Sequence, residues 1–369
     1  MKLLQASRDD LLKPLQAVTG IVEKRHTLPI LSNVLLEQRE NVLQLVATDL
    51  EIQVTAKFSA GGDAKVAQPI TVSARKLHDI LRSLPDGADV TLEAQPNRVQ
   101  VKAGKSRFNL QTLPADDFPK VSPATEGAVT FSIPQGALRS LLLLVQYAMA
   151  QQDIRYYLNG MLLVLEEGKL KAVATDGHRL ALAMRSLEGV KERQEAILPR
   201  KAVVELVKLL GDGDEPVNVQ LAPNQARFAF GNIELVTKVV DGKFPDYQRV
   251  IPASSQKTFT IARTTLQQAL QRVAILSNEK FRGVRWMLTA NTLRISCTNT
   301  EQEEASEDIE IDYQGEALDI GFNVNYLLDV LTNVQREQVH CGLGDANSSV
   351  LISMPDLPEF RYVVMPMRI

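Results

Sequence analysis

Leu45-Val46-Ala47-Thr48-Asp49-Leu50-Glu51 is the stretch that decides how this chain is built, because it returns twice. The second form is Lys171-Ala172-Val173-Ala174-Thr175-Asp176-Gly177-His178. The third, more worn, is Ile295-Ser296-Cys297-Thr298-Asn299-Thr300-Glu301. The spacing of about 125 residues is that of a whole small domain, not of a solenoid turn. Each copy follows one helix-like segment and precedes another, the latter being Ala74–Ser83, Pro199–Leu210 and Asn323–Val334. The 369 residues therefore divide into three modules, 1–125, 126–252 and 253–369, with Pro-bearing polar joints between them.

Each module reads as helix, strands, helix, strands. The first helix is expected over Asp10–Val18, with Leu11, Leu12, Leu15 and Val18 as its apolar stripe and Pro14 near its first turn. Its counterparts run through Leu141–Ala148 and Ala269–Ile275, the latter with Thr264 or Thr265 as a cap. Strands are expected at Leu43–Val46, Ile52–Phe58, Met161–Leu165, Leu170–Ala174, Leu293–Ser296 and Val350–Met354. Runs of strands separated by turns, without strand–helix alternation, make this an α+β fold with antiparallel sheets.

Bulk composition excludes several classes. Hydrophobic residues at 45% and charged residues at 23% describe a globular protein with room for several cores. The net charge of −3 shows no overall basic excess, although a local patch can bind phosphate on an acidic protein. Cys297 and Cys341 occupy no motif and read as small core residues of a reducing compartment. The N-terminus is too short and polar for a signal peptide, and the longest apolar run, Leu141–Val145, is far below spanning length. A cytoplasmic protein with no membrane partner is expected.

No constellation for catalysis, metal or cofactor emerges. Gly104-Lys105-Ser106 lacks the earlier glycine of a phosphate loop, since Val99 stands there, and reads as a hairpin turn. Asp176 and His178 have neither a nucleophile nor metal-ligand spacing beside them. The acidic run from Glu301 to Asp308 lacks the spaced ligands of a calcium loop. It reads as a solvated face, or as the complement of a basic edge formed by Lys76, Arg98, Lys105 and Arg107.

Positive charge concentrates on the helices. The six helix-like segments sum to +6 in a chain of −3, so strands and loops carry the acid. One reading is ordinary helix surfaces; the other is that all helices face one acidic partner. Helices about 10 Å across, six abreast in a circle, leave a hole of roughly 10 Å. Twelve, from two chains, leave one of about 28 Å, enough for duplex DNA.

With these features in place, the chain resembles the bacterial DNA polymerase III β subunit family, the sliding clamps, over its whole length. The matching strings include Thr27-Leu28-Pro29-Ile30-Leu31, Gln152-Asp153-Ile154-Arg155-Tyr156-Tyr157-Leu158-Asn159-Gly160-Met161 and Ala174-Thr175-Asp176-Gly177-His178-Arg179-Leu180. Others are Ala274–Arg285 and the tail Tyr362–Ile369. The resemblance implies a homodimeric ring of six domains, helices inside and sheets outside, that encircles duplex DNA without sequence preference. Such a ring tethers the polymerase for processive replication, is no enzyme and needs no cofactor or metal.

The resemblance also carries over residues. DNA contact falls on Arg25, Gln152, Tyr156 and Tyr157. On strand alternation alone, one of the two tyrosines would be buried. A groove for a short partner peptide falls on Arg155, Leu158, Thr175, Gly177, His178, Arg179, Leu180, Pro245, Arg249 and Val250. It continues through Asn323, Tyr326, Ser349, Val363, Met365, Pro366, Met367 and Arg368. The implied users are the DNA polymerase III α subunit, the clamp loader δ subunit, and other DNA polymerases or repair proteins. The dimer interface would set Phe108 and Leu110 against Ile275 and Leu276, and the basic edge against Glu301, Glu303, Glu304 and Glu307. A non-encircling adaptor that gathers peptide-bearing partners is the alternative class, and an enzyme the most remote.

Overall fold

The computed structural model describes residues 2–23, 28–39, 42–59, 68–187 and 193–368. The first module comprises β1 (Lys2–Ser7), α1 (Arg8–Thr19), β2 (Asn33–Arg39), β3 (Val42–Thr48) and β4 (Ile52–Phe58). It continues with β5 (Ile70–Ser73), α2 (Ala74–Ser83), β6 (Asp89–Gln95), β7 (Arg98–Ala103) and β8 (Ser106–Gln111). The second holds β9 (Val129–Pro134), α3 (Gln135–Leu143), β10 (Gly160–Glu166), β11 (Lys169–Thr175) and β12 (Arg179–Ser186). After these come β13 (Gln194–Pro199), α4 (Arg200–Leu209), β14 (Pro216–Leu221), β15 (Gln225–Phe230) and β16 (Ile233–Lys238). The third holds β17 (Lys257–Ala262), α5 (Arg263–Val273), β18 (Gly283–Thr289), β19 (Thr292–Thr298) and β20 (Glu304–Glu310). It ends with β21 (Leu318–Asn323), α6 (Val324–Asn333), β22 (Gln338–Leu343), β23 (Val350–Met354) and β24 (Leu357–Val364).

The α+β antiparallel class holds, with one refinement. A strand precedes each opening helix, so every module is itself a doubled strand–helix–three-strand unit. The N-terminal run Lys2–Ser7 is such a strand, burying Leu3, Leu4 and Ala6. Three helix details differ from expectation; α3 ends at Leu143, and Gln146–Ala148 is a separate 3-10 turn instead of its continuation. Helix α1 starts at Arg8 under a Ser7 cap, so Pro14 lies in its second turn and the Asp10 carbonyl loses its helical donor. Helix α5 follows Ala262 and has no side-chain cap, so neither Thr264 nor Thr265 serves as one.

Contacts sort the chain into two units, Met1–Arg139 with Lys201–Val239, and Ser140–Arg200 with Val240–Ile369. The first contains a four-stranded sheet, β1-β6-β7-β8, and an eight-stranded one, β5-β2-β3-β4-β16-β15-β14-β9. The second contains an eight-stranded sheet, β13-β10-β11-β12-β24-β23-β22-β17, and a four-stranded one, β20-β19-β18-β21. Each eight-stranded sheet thus takes four strands from each of two successive modules, joined at β4·β16 and at β12·β24. The apolar faces supply the cores. In the first unit Leu11, Leu15 and Val18 of α1 are buried, and α1 packs on α2, β3 and β4. In the second unit Trp286 is fully buried between Phe259 and Phe322.

The repeated Thr-Asp string now has a physical reason. It closes the β3–β4 and β11–β12 hairpins by satisfying backbone groups that the ladder leaves open. Thr48 Oγ1 donates to the Ile52 carbonyl at 2.9 Å, and Asp49 Oδ1 accepts from the amides of Glu51 and Ile52 at 3.0 and 2.8 Å. Thr175 Oγ1 likewise donates to the Arg179 carbonyl at 2.6 Å, and Asp176 Oδ1 accepts from His178 and Arg179 at 2.9 and 3.1 Å. In the third copy Asn299 Oδ1 accepts from Glu301 and Glu303 at 2.9 and 3.0 Å. An amide oxygen does this job as well as a carboxylate, which is why the Asp could be lost there. Gly104, at φ +53°, and Lys105 form the β7–β8 turn as expected.

Candidate peptide groove and DNA-facing loop

One face of the β10–β11–β12–β24 sheet in the second unit is apolar and built for burial. Leu162, Val164, Val173, Leu180, Leu182 and Val363 project from it into a cluster with Leu158, Ile197 and Phe244. Tyr157, Met184, Val240, Tyr247, Ile251 and Leu351 flank it half-buried. Val250 and Met365, both large and apolar, stay exposed beside it. An apolar floor with exposed apolar margins is what a peptide groove requires.

The Asp176 hairpin carries four of the expected groove positions, Thr175, Gly177, His178 and Arg179. Gly177 adopts φ +90°, and a Cβ there would sit 3.0 Å from the Arg155 guanidinium. Only glycine permits both the turn and that approach. Arg155 donates to the Asp176 carbonyl at 3.1 Å and to both carboxylate oxygens of Asp153 at 3.0 and 2.9 Å. That pairing draws the Asp153 carboxyl down to about 2.

Arg179, at the β12 end of the same hairpin, is a hub of contacts. Its guanidinium pairs with Asp329 of α6, donates to the Tyr147 carbonyl at 2.8 Å and to Asp176 Oδ2 at 3.1 Å. It also lies 4.7 Å from the centre of the Tyr326 ring, which stacks with His178 at 6.2 Å. Burial works against the charge on Arg179, but Tyr362 and Asp329 outweigh it and raise its pKa. The Tyr362 hydroxyl donates to the Tyr326 carbonyl at 2.8 Å.

The tail reaches the same hairpin. The Met365 amide donates to the His178 carbonyl at 2.8 Å and the Met367 amide to the Gly321 carbonyl at 2.9 Å. Ser349 Oγ reaches Met365 Sδ at 3.0 Å. Asn323 caps α6 through the Asn325 amide at 2.9 Å. Pro245 and Arg249 are exposed on the Phe244–Val250 segment, Arg249 paired with Asp246 at 2.9 Å, and Pro366 and Arg368 lie on the tail. All eighteen expected groove positions thus belong to the second unit. Asp329, Tyr147 and Tyr362, which hold Arg179, are not among the expected positions.

Of the expected DNA-contact residues, Arg25 lies outside the described residues. Gln152 is exposed at φ +56°, in a loop whose Ile154 is 95% exposed. Tyr156 and Tyr157 are in edge contact at 5.8 Å. The strand-alternation reading of these tyrosines is corrected. They sit on a 3-10 turn, Tyr156–Leu158, in which Leu158 is buried, Tyr157 half-buried and Tyr156 exposed.

The expected dimer residues are described in their own units. Lys76, Arg98, Lys105 and Arg107 are exposed, Phe108 is half-buried, and Leu110 is in the core of its own sheet. Ile275 is 77% exposed, whereas Leu276 is partly covered. Glu301, Glu303 and Glu304 are exposed, but Glu307 is held by Arg272 at 2.5 Å. The helix charge is also partly neutralised locally. Lys201 pairs with Asp49 and with Glu23 at 2.9 Å, and Lys208 with Glu205 at 2.7 Å. Cys297 and Cys341 are buried, burial raising the Cys341 thiol to about 12. Among the described residues no cluster of metal-ligating side chains occurs, and no helix is long and apolar enough to cross a membrane.

Comparison with known proteins finds three consecutive domain matches. Residues 1–122 match the N-terminal domain of the DNA polymerase III beta subunit, 132–246 its central domain and 248–368 its C-terminal domain. The beta sliding clamp of Pseudomonas aeruginosa is 48% identical over 365 residues, 98% of each chain. That of Escherichia coli K12 is 44% identical over 367 residues, again 98% of each. A crystal structure of the P. aeruginosa sliding clamp bound to griselimycin superposes with TM-score 0.96 at 47% identity, covering all of both chains. The Caulobacter crescentus pol III beta structure gives 0.93 at 40%. The chain belongs to the DNA polymerase III beta subunit family, the DNA sliding clamps of replication, which act as processivity factors and catalyse no reaction.

Proposed function

We propose that two copies of this chain close head to tail into a ring of six modules around duplex DNA, and that partner peptides dock in the second unit's groove. The observation that carries the ring is a periodicity in the sheets. Strand β16 of the second module pairs with β4 of the first, and β24 of the third pairs with β12 of the second. Their remaining counterparts, β8 and β20, are both edge strands. Pairing β20 with β8 of a second copy would repeat the same joint and remove both edges.

The register of that joint follows by transposition. Val54 faces Leu235 at β4·β16, and Ala181 faces Tyr362 at β12·β24. The equivalent pair at β20·β8 is Ala305 with Phe108, which places Glu304 opposite Asn109 and Glu303 opposite Leu110. In this reading the module boundaries fall near residues 125 and 252. Helices inside would carry the phosphate-facing charge, with Arg25, Gln152, Tyr156 and Tyr157 at the DNA and sheets outside.

The groove reading rests on the apolar floor and Met-bearing tail, whose thioethers repack around varied anchors. The P. aeruginosa relative, which binds griselimycin, supports a peptide-sized site on this fold. The users would be the DNA polymerase III α subunit, the clamp loader δ subunit, and other polymerases or repair proteins, in the cytoplasm at replication forks. The test is retention on DNA. Protein loaded onto circular DNA should persist far longer than on the same molecule after linearisation, and equal lifetimes would refute encirclement. Mass in solution should be about 82 kDa, two copies of 40.8 kDa.

A further inference from the structure

The first unit holds a counterpart of the peptide groove, on the β2–β3–β4–β16 face. The strand registers equate the two faces residue by residue. Leu35 faces Val46 as Leu162 faces Val173, and Gln53 faces Val236 as Leu180 faces Val363. Phe118 packs on Leu35 and Val46 just as Phe244 packs within the groove cluster. The remaining floor positions differ in one direction. Where the groove has Val164, Leu180 and Leu182, this face has Glu37, Gln53 and Thr55, all buried.

Two of those polar groups, Gln53 and Glu37, hold the chain's own linker. Gln53 accepts from the Val121 amide at 2.8 Å and donates to the Val121 carbonyl at 3.3 Å, the pairing a neighbouring strand would make. Glu37 takes Lys120 at 2.6 Å and Gln44 at 2.8 Å. Gln225 accepts from the Ala124 amide at 2.5 Å and donates to the Ser122 carbonyl at 3.1 Å, and Gln220 donates to the Ala124 carbonyl at 2.9 Å. The space left beside the linker, about 370 Å³, is lined by Glu37, Gln44, Gln53, Lys57, Lys120 and Glu234 among others. An apolar anchor entering it would strip water from charged groups.

We infer that this recess is a second groove occupied by residues 120–124 of the same chain, and that Glu37, Gln53 and Thr55 are the specificity determinants limiting each chain to one peptide site. The inference rests on the groove reading above, and the experiment separates the two. Griselimycin is titrated calorimetrically into the full-length chain, the chain lacking residues 365–369, and the E37V/Q53L/T55L variant with and without that deletion. The native chain should bind one molecule, lost with the tail. The triple variant should bind two, and one should survive tail removal.

If native binding is absent or tail-independent, the groove reading fails. If native binding is single and tail-dependent but the folded triple variant gains no second event, the inference fails. Amide exchange on the single Q53A variant gives an arm that needs no ligand. The Val121 amide should be protected in the native chain and exchange at least tenfold faster in Q53A. An unprotected Val121 amide, or one indifferent to Q53A, would equally overturn the inference.

Discussion

The Arg179 guanidinium, on the second module's β12, lies 4.7 Å from the centre of the Tyr326 ring on the third module's α6. It also pairs there with Asp329, 150 residues away in sequence, and with the Tyr147 carbonyl. One cation therefore ties together the Asp176 hairpin, helix α6 and the last strand, the parts from which the proposed groove would be built.

Replacing Arg179 with Ala should cost about 2–3 kcal/mol of unit stability, below the full value for a buried pair because Asp329 is partly exposed. D329N, which keeps the Tyr326 and Tyr147 contacts, should cost about 1 kcal/mol or less. Urea unfolding of the two variants checks the ordering. Equal losses would mean that the ion pair, not the hub, is what matters.

The Arg155–Asp153 pair makes a pH prediction. Arg155 holds the folded Asp153 carboxyl at about 2, below its ordinary value. A depressed carboxylate favours the folded loop above the unfolded pKa near 4, and that advantage disappears as pH falls through about 2. Carboxyl carbon shifts of Asp153 should therefore stay those of a carboxylate at pH 3. Protonation near pH 4 would show that the pair does not persist in solution.

The parts legible in sequence were those fixed by local chemistry. The Thr-Asp strings were visible because a hairpin needing an acceptor oxygen and a positive φ admits few residues, as at Asp176 and Gly177. The parts missed depend on distance in sequence. Nothing local to Arg179 reveals that its partner is Asp329, or that Tyr362 will donate to Tyr326. The six-residue strand Lys2–Ser7 is not legible in the sequence, because so short a segment displays no period of its own and pairing with β6 is what defines it. The turn at Tyr156 and Tyr157 is hidden for a related reason, since two adjacent aromatics fit a strand as well as a 3-10 turn.

Gly177 should be intolerant of a side chain for reasons separable by experiment. At φ +90° an alanine is strained by about 1 kcal/mol or more, and its Cβ would press on the Arg155 guanidinium at 3.0 Å. Arg155 is flexible and can withdraw, so G177A should fold with modestly lower stability yet release Arg155 from the Asp176 carbonyl. In R155A/G177A the stability loss attributable to Gly177 should remain. If it vanishes, the clash and not the backbone was the cause.

The proposed intermolecular strand pair can be tested covalently. Residues directly opposite in an antiparallel ladder have Cα atoms about 4.5–5.5 Å apart, within reach of a disulfide. The transposed register puts Phe108 of one copy opposite Ala305 of the other, so F108C/A305C should form a covalent dimer under mild oxidation. Native Cys297 and Cys341 are buried and should not compete. Glu310 lies five residues along β20 from Ala305, about 17 Å at strand rise, so F108C/E310C should remain monomeric on a denaturing gel. A chain with a dimer's mass in solution and cross-linking only in the second variant would keep the dimer but refute this register, and with it the claim that the subunit joint repeats β4·β16 and β12·β24.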